Sequence, residues 1–138
     1  MTSVTRRFEF AMGHTLYEHP GSCSHLHGHN YQAYVTVSAP ELDASGMVVD
    51  FADLKNIAGG FIDRELDHRF LIYRGDPRAE PLLALDDTVV LVDWHPTAEN
   101  LAAHLLDAVG ELLSPTALEV EDVCLWETSN CSATVRRT

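Results

Sequence analysis

One stretch constrains this 138-residue chain more than any other: Cys23-Ser-His25-Leu-His27-Gly-His29-Asn-Tyr31 places a thiol and three imidazoles within seven residues. Alternate side chains of an extended strand point to one face, so Cys23, His25, His27 and His29 are expected to project together. Imidazole nitrogens ligate zinc and related divalent ions at neutral pH, and a His-x-His pair on a strand reaches one ion from one side. The residues that follow, Asn30 to Ser38, are rich in aromatic and β-branched types and predict a strand.

Other segments supply partners for that strand. Val4 to Phe10 reads as a half-buried strand with Phe8 and Phe10 on one face, and His14 follows after Ala11-Met12-Gly13. Antiparallel pairing of neighbouring strands would bring His14 to His27 and His29 as a third ligand. The loop from Tyr17 to Ser24 contains Pro20-Gly21, a turn signal that places Cys23 just ahead of the strand. Met47-Val48-Val49 predicts a short strand, and Asp50 predicts a helix N-cap with Asp53 in the first turn. Leu54, Ile57, Ala58, Phe61, Ile62 and Leu66 then recur at helical spacing, with Gly59-Gly60 implying close packing or a bend. Asp67-His68 stands at the end of this helix.

Arg69 to Leu85, broken by Gly75-Asp76-Pro77, reads as loop with some extended structure. Val89 to Trp94 is short, apolar and β-branched, the pattern of a buried strand ended by His95-Pro96. Thr97 predicts the N-cap of a second helix whose apolar stripe is Leu101, Leu105, Val109 and Leu112, stopped by Ser114-Pro115. Val120 to Thr128 and Ala133 to Arg136 predict a hairpin around Ser129-Asn130. Alternation puts Glu127 on the face of Val123 and Leu125, and a carboxylate ending an apolar face is a candidate hydrogen-bonding or ligand-binding group.

Composition narrows the function. A net charge of −12 argues against nucleic-acid and anionic-membrane partners, both of which need a concentrated positive field. Length and the lack of internal repeats predict one domain over residues 1–138. No apolar run is long enough to span a bilayer, and Arg6-Arg7 precedes no apolar signal segment, so a cytoplasmic location is expected. Three cysteines, Cys23, Cys124 and Cys131, cannot all pair, which fits a reducing compartment. Arg64, Arg69, Arg74 and Arg78 fall close together and could form a local pocket for an anionic small ligand, since guanidinium forks match phosphate geometry.

Three histidines without a fourth protein ligand leave a tetrahedral zinc one open position, the arrangement of catalytic sites. His14, His27 and His29 are the candidate set; His25 competes on strand parity alone, and a four-histidine structural site is the alternative. A thiol beside a cation and several imidazoles favours its thiolate, so Cys23 could serve as nucleophile, base or ligand. Asp67 and His68 offer a second acid–base pair.

Five motifs stand in order along the chain: Cys23-x-x-x-His27-Gly28-His29-Asn30-Tyr31, Gly46-Met47-Val48-Val49-Asp50-Phe51, Leu66-Asp67-His68, Pro96-Thr97-Ala98-Glu99-Asn100 and Trp126-Glu127-Thr128. In this the sequence resembles the 6-pyruvoyltetrahydropterin synthase/6-carboxytetrahydropterin synthase family over nearly its whole length. The resemblance implies an α+β tunnelling fold, a four-stranded antiparallel sheet with two helices on one face, assembled into a barrel-like oligomer, commonly a homohexamer. It implies zinc on His14, His27 and His29, with His25 a bystander. Cys23 would be the general base, assisted by Asp67 and His68 from a neighbouring subunit, and Glu127 would anchor the pterin, with Thr97 a further substrate contact.

The short spacing from Cys23 to His27 resembles the bacterial carboxytetrahydropterin branch. That branch converts dihydroneopterin triphosphate to 6-carboxytetrahydropterin with loss of acetaldehyde and triphosphate, on the route to queuosine. A 6-pyruvoyltetrahydropterin-forming lyase is the near alternative, and a non-catalytic zinc or pterin-binding protein the alternative of another class. The sequence departs from the family pattern at Arg69-Phe70-Leu71-Ile72 and in the insert from Tyr73 to Asp87.

Overall fold

The computed structural model describes residues 1–138. Its axis is a pair of 13-residue strands, β1 (Thr2–His14) and β2 (His27–Ala39). They pair antiparallel along their full length, from Thr2 opposite Ala39 to His14 opposite His27. Opposite residues of an antiparallel pair project to the same face, so this register joins the even-numbered residues of β1 to the odd-numbered residues of β2. Phe8, Phe10 and Met12 thus meet Tyr31, Ala33 and Val35 on one buried face, while Thr5, Arg7 and Glu9 lie exposed on the other.

β5 (Glu119–Trp126) pairs antiparallel with β2, with a register shift at Thr36/Val37, and β6 (Ser132–Arg136) pairs with β5. On the other side of β1, β3 (Phe70–Tyr73) and β4 (Val89–Val92) add in parallel, giving the order β4-β3-β1-β2-β5-β6. The sheet is therefore six-stranded and mixed, not the four-stranded antiparallel sheet expected. The difference lies in β3 and β4, four residues each and joined by α3 (Ala79–Leu85), because parallel neighbours need a crossover. The sequence pattern over 69–85 predicts loop with some extended structure; β3 is the extended part, and Pro81 hides the short helix, yet it occupies the first turn, where its missing N–H costs nothing.

Met47–Val49 does not form the expected strand. The Asp43 carboxylate accepts the N–H groups of Ser45 and Met47, and such a local turn competes with sheet pairing. The helical segments follow the sequence more closely. Asp50 caps α1 (Phe51–Leu54) by accepting from the Ala52 N–H at 2.8 Å, and the helical path continues through a π segment (Lys55–Gly59) into α2 (Gly60–Glu65). Leu54, Ala58, Ile62 and Leu66 are its buried stripe. A side chain at Gly59 would place Cβ 3.2 Å from the Phe8 ring, so the glycine lets this helix close on the sheet.

Thr97 caps α4 (Ala98–Leu113), its hydroxyl accepting from the Asn100 N–H at 3.1 Å. Leu101, Ala102, Leu105, Leu106, Val109 and Leu113 are buried, whereas Leu112, expected in the stripe, is 42% exposed. Both helical segments and the β1–β2–β5 face share one core of 23 buried residues. At roughly 1.5–3 kcal/mol for each fully buried large aliphatic or aromatic side chain, this face is the main source of stability.

Candidate metal centre

The buried face of β1 and β2 does not end in apolar residues. The last cross-strand pair on it is His14 opposite His27, with His29 one step inward opposite Met12. The same alternation that buries Phe10 and Tyr31 therefore turns three imidazoles together. One ligand atom from each lies within 4.8 Å of the others. The ring centroids are 4.6 Å apart for His14 and His27, 5.1 Å for His14 and His29, and 5.0 Å for His27 and His29.

Backbone carbonyls orient two of the rings. His14 Nδ1 donates to the Pro96 carbonyl at 2.6 Å, and His27 Nδ1 donates to the His25 carbonyl at 2.7 Å. A proton held at Nδ1 leaves Nε2 with its lone pair, the form a metal needs, and such backbone bonds commonly fix ligating histidines. His14 is 1% exposed and its Nε2 has no hydrogen-bond partner. Nε2 of His29 lies 3.1 Å from a Glu127 carboxylate oxygen but is likewise without a well-aligned hydrogen bond. Buried polar atoms without partners are rare and costly, and a cation between these nitrogens would satisfy them. Burial holds His14 and His29 below the ordinary histidine value despite the opposing Glu127 charge, which favours the neutral form a metal needs. Three converging imidazoles, two of them with buried, unpartnered Nε2 atoms, fit a divalent metal ion.

Gly13 makes the strand end possible. It pairs with Phe70 of β3, whose ring would lie 2.5 Å from a Cβ at position 13. Glycine thus admits β3 beside His14, which itself pairs with Leu71. Two further residues belong to the site, although the sequence motifs that contain them assign them no role. Pro96 supplies the acceptor for His14, a role backbone atoms do not advertise. Tyr31 continues the His27, His29 alternation; its ring packs edge-on to His14 and His29, and its hydroxyl is buried without a partner. Burial, reinforced by Glu127, holds that phenol far above its ordinary value.

The remaining sequence candidates fall in three places. Glu127 lies just beyond β5 against His29, and Thr97 follows the Pro96 carbonyl, its hydroxyl engaged in capping α4. Cys23 lies ahead of the strand, as the Pro20-Gly21 turn predicts: Ser22–Ser24 forms a 3-10 turn and β2 begins only at His27. Of the expected common face of Cys23, His25, His27 and His29, only the second pair, His27 and His29, therefore lies on β2. The turn bonds to its own backbone, Ser24 and His25 N–H donating to Gly21 and Ser22 carbonyls, which a strand cannot do. His25 stays exposed and contributes its carbonyl.

Asp67 and His68 sit at the β1–β3 edge. One Asp67 oxygen accepts the Ala11 N–H at 3.0 Å and the other lies 3.0 Å from His68 Nδ1. His68 adopts a left-handed φ of 60°, its N–H donates to the Ala11 carbonyl, and its side chain is 81% exposed. Strain at an exposed acid–base residue is typical of functional positions. It borders a cleft of about 420 Å³ with Asn30, Arg69, Phe70 and Thr88. Of the four clustered arginines, Arg74 pairs with Asp93 and Arg78 with Asp76, while Arg64 and Arg69 have no carboxylate partner.

Known proteins share this arrangement of strands. Residues 3–138 match the family model described as 6-pyruvoyl tetrahydropterin synthase. The chain is 36% identical to the 6-carboxy-5,6,7,8-tetrahydropterin synthase of Rickettsia bellii, over 95% of this chain and 97% of that protein. An uncharacterized protein of Wolinella succinogenes superposes with a TM-score of 0.87 at 28% identity, covering 99% of this chain and 98% of the other. The Caenorhabditis elegans 6-pyruvoyl tetrahydropterin synthase does so with a TM-score of 0.73 at 25% identity, covering 99% and 96%. With its tunnelling fold, its histidine trio and a match that runs from Ser3 to the last residue, this chain belongs to the 6-pyruvoyl tetrahydropterin synthase family of enzymes.

Proposed function

We propose that the chain is a zinc-dependent lyase that converts 7,8-dihydroneopterin triphosphate to 6-carboxy-5,6,7,8-tetrahydropterin, releasing acetaldehyde and triphosphate. The observation that carries this reading is the convergence of His14, His27 and His29 beside Glu127, with the buried Nε2 atoms of His14 and His29 unpartnered, in a chain similar to a named 6-carboxytetrahydropterin synthase. Zinc held by these imidazoles would supply Lewis acidity toward the hydroxyls of the substrate side chain.

The protein groups have separable tasks. Glu127 presents two parallel acceptors to the amino-pyrimidinone edge of the pterin, and Thr97 lines the same end of the sheet. His29 Nε2 can serve either the metal or Glu127, so ligation frees this carboxylate for the pterin. Cys23 removes a proton from the substrate side chain, and His68, held by Asp67, moves one at the second position. Within one chain Asp67 and His68 bond to each other and to Ala11, not to the histidine trio, which supports their acting on the active site of a neighbouring subunit in a homohexamer. Arg69, free of carboxylate partners in the cleft beside His68, is suited to the triphosphate. A cytoplasmic place in queuosine biosynthesis goes with this activity.

Incubation with dihydroneopterin triphosphate, followed by mass spectrometry, tests the proposal. Acetaldehyde, triphosphate and 6-carboxytetrahydropterin are expected. A 6-pyruvoyltetrahydropterin product would assign the chain to the other branch, the reading favoured by its likeness to the nematode enzyme. Absence of both acetaldehyde and free triphosphate would contradict a lyase of either kind.

A further inference from the structure

The insert that the family motifs leave unused, residues 73–87, reaches across the fold to the loop that carries Cys23. Its contact is an ion pair with little freedom. The Asp76 side chain is fully buried, and Arg78 grips it with a two-pronged fork, Nε to Oδ1 at 3.0 Å and Nη2 to Oδ2 at 2.7 Å. The Arg78 N–H donates to the same carboxylate at 2.9 Å. The guanidinium then continues outward. Nη1 donates to the Ser24 carbonyl at 2.7 Å, and Nη2 donates to the Thr15 hydroxyl at 3.0 Å. The Thr15 hydroxyl in turn donates to the Ser24 carbonyl at 2.8 Å.

These bonds decide what Arg78 can do. Of its five N–H donors, four are committed to fixed groups of this chain, so little is left for a phosphate. A planar fork locked on a buried carboxylate is a strut. Its two ends are informative: Ser24 adjoins Cys23, and Thr15 adjoins His14 of the trio. The turn is also tied from the other side, where the Leu16 N–H donates to the Cys23 carbonyl at 2.9 Å. The Asp76–Arg78 unit therefore sets the position of the Ser22–Ser24 turn relative to the end of β1.

We propose that Arg78, anchored by Asp76, is a positioning residue that holds the Cys23 turn in register with the histidine trio. This rests on the reading of Cys23 as the base. The unit adds no group to the reacting atoms; it fixes the separation between the thiol and the metal-binding end of the strand, to which proton transfer is sensitive at the ångström scale.

The test compares Arg78→Lys, Arg78→Met and the double variant Asp76→Asn/Arg78→Met. The double variant leaves no buried charge unpaired should Arg78→Met alone fail to fold. Three readouts are taken: kcat and KM with dihydroneopterin triphosphate, zinc per chain, and the rate of iodoacetamide alkylation at Cys23 by peptide mass spectrometry. The expected result is a kcat lowered roughly 10- to 100-fold with KM within about 3-fold, zinc retained, and Cys23 alkylation changed several-fold. Arg78→Lys, which keeps the charge but not the fork, is expected to recover only part of kcat. Full kcat and an unchanged alkylation rate in the folded variants would overturn the inference, as would complete rescue by lysine. Cys23→Ala separates the two claims: turnover retained in that variant removes the base assignment, whereas its loss alongside normal kcat in the Arg78 variants removes only the strut.

Discussion

Two polar clusters lie at the same end of the sheet, and they are built on opposite plans. In the Asp76–Arg78–Thr15–Ser24 cluster the donors and acceptors find partners inside the chain, and the buried carboxylate receives three N–H bonds. In the His14–His27–His29 cluster the Nδ1 atoms of His14 and His27 are satisfied by backbone while the buried Nε2 atoms of His14 and His29 are not. A closed network stabilises and positions; an open one costs folding energy that only a ligand can return. The contrast separates residues that hold the site from residues that use it.

That separation can be broken experimentally, and the largest effect is expected on the side of use. Cys23→Ala, at the proposed base, should lower turnover by about 10²–10⁴-fold with zinc content and melting temperature retained, since a general base contributes on that scale. Steady-state kinetics beside metal analysis checks it; loss of zinc together with activity would move Cys23 into the ligand set.

The next effect falls on the holding side. Arg78→Met leaves the fully buried Asp76 carboxylate without its partner and should destabilise the fold by about 2–4 kcal/mol, somewhat less than a fully buried pair because the guanidinium is 38% exposed and partly screened. Chemical denaturation measures it, and the double variant with Asp76→Asn should recover part of the loss.

A smaller, pH-dependent effect has the same origin. The Arg78 hydrogen bonds hold the Asp76 carboxyl below its ordinary value of 3.8, so the folded state binds this proton less tightly than the unfolded chain. The stability it contributes is full above about pH 4 and is lost as pH falls through the folded value. Asp76→Asn should flatten the decline of stability with acid below about pH 4, read from melting temperatures across that range. An unchanged slope would show that the carboxylate does not couple to folding.

The smallest effect belongs to Tyr31→Phe. Its hydroxyl is buried without a partner, so removal should leave stability within about 1 kcal/mol or raise it slightly. A larger loss would mean that the hydroxyl is satisfied in the working protein, through metal-bound water or substrate.

The sequence displayed the open cluster more clearly than the closed one. Period-two patterning brings His27 and His29 to one face and supports β1, β2 and the β5–β6 hairpin, but it admits His25 equally, and only the family resemblance selects His14, His27 and His29. Asp50 and Thr97 announced both long helical segments. What stayed hidden depended on contacts across the chain. Cys23 and His25 obey strand parity on paper, yet a 3-10 turn removes them from it. β3 and α3 are too short, and too interrupted by Gly75-Asp76-Pro77, for periodicity to show. Sequence alone makes Arg78 one of four possible phosphate ligands, whereas its guanidinium is spent on Asp76, a contact that sequence does not display.

The central claim is that the open cluster is a metal centre, and metal content tests it most directly. Purified protein should carry about one zinc ion per chain by inductively coupled plasma mass spectrometry, and His27→Ala should lose most of it while retaining the fold by circular dichroism. Full zinc occupancy in folded His27→Ala would contradict the account.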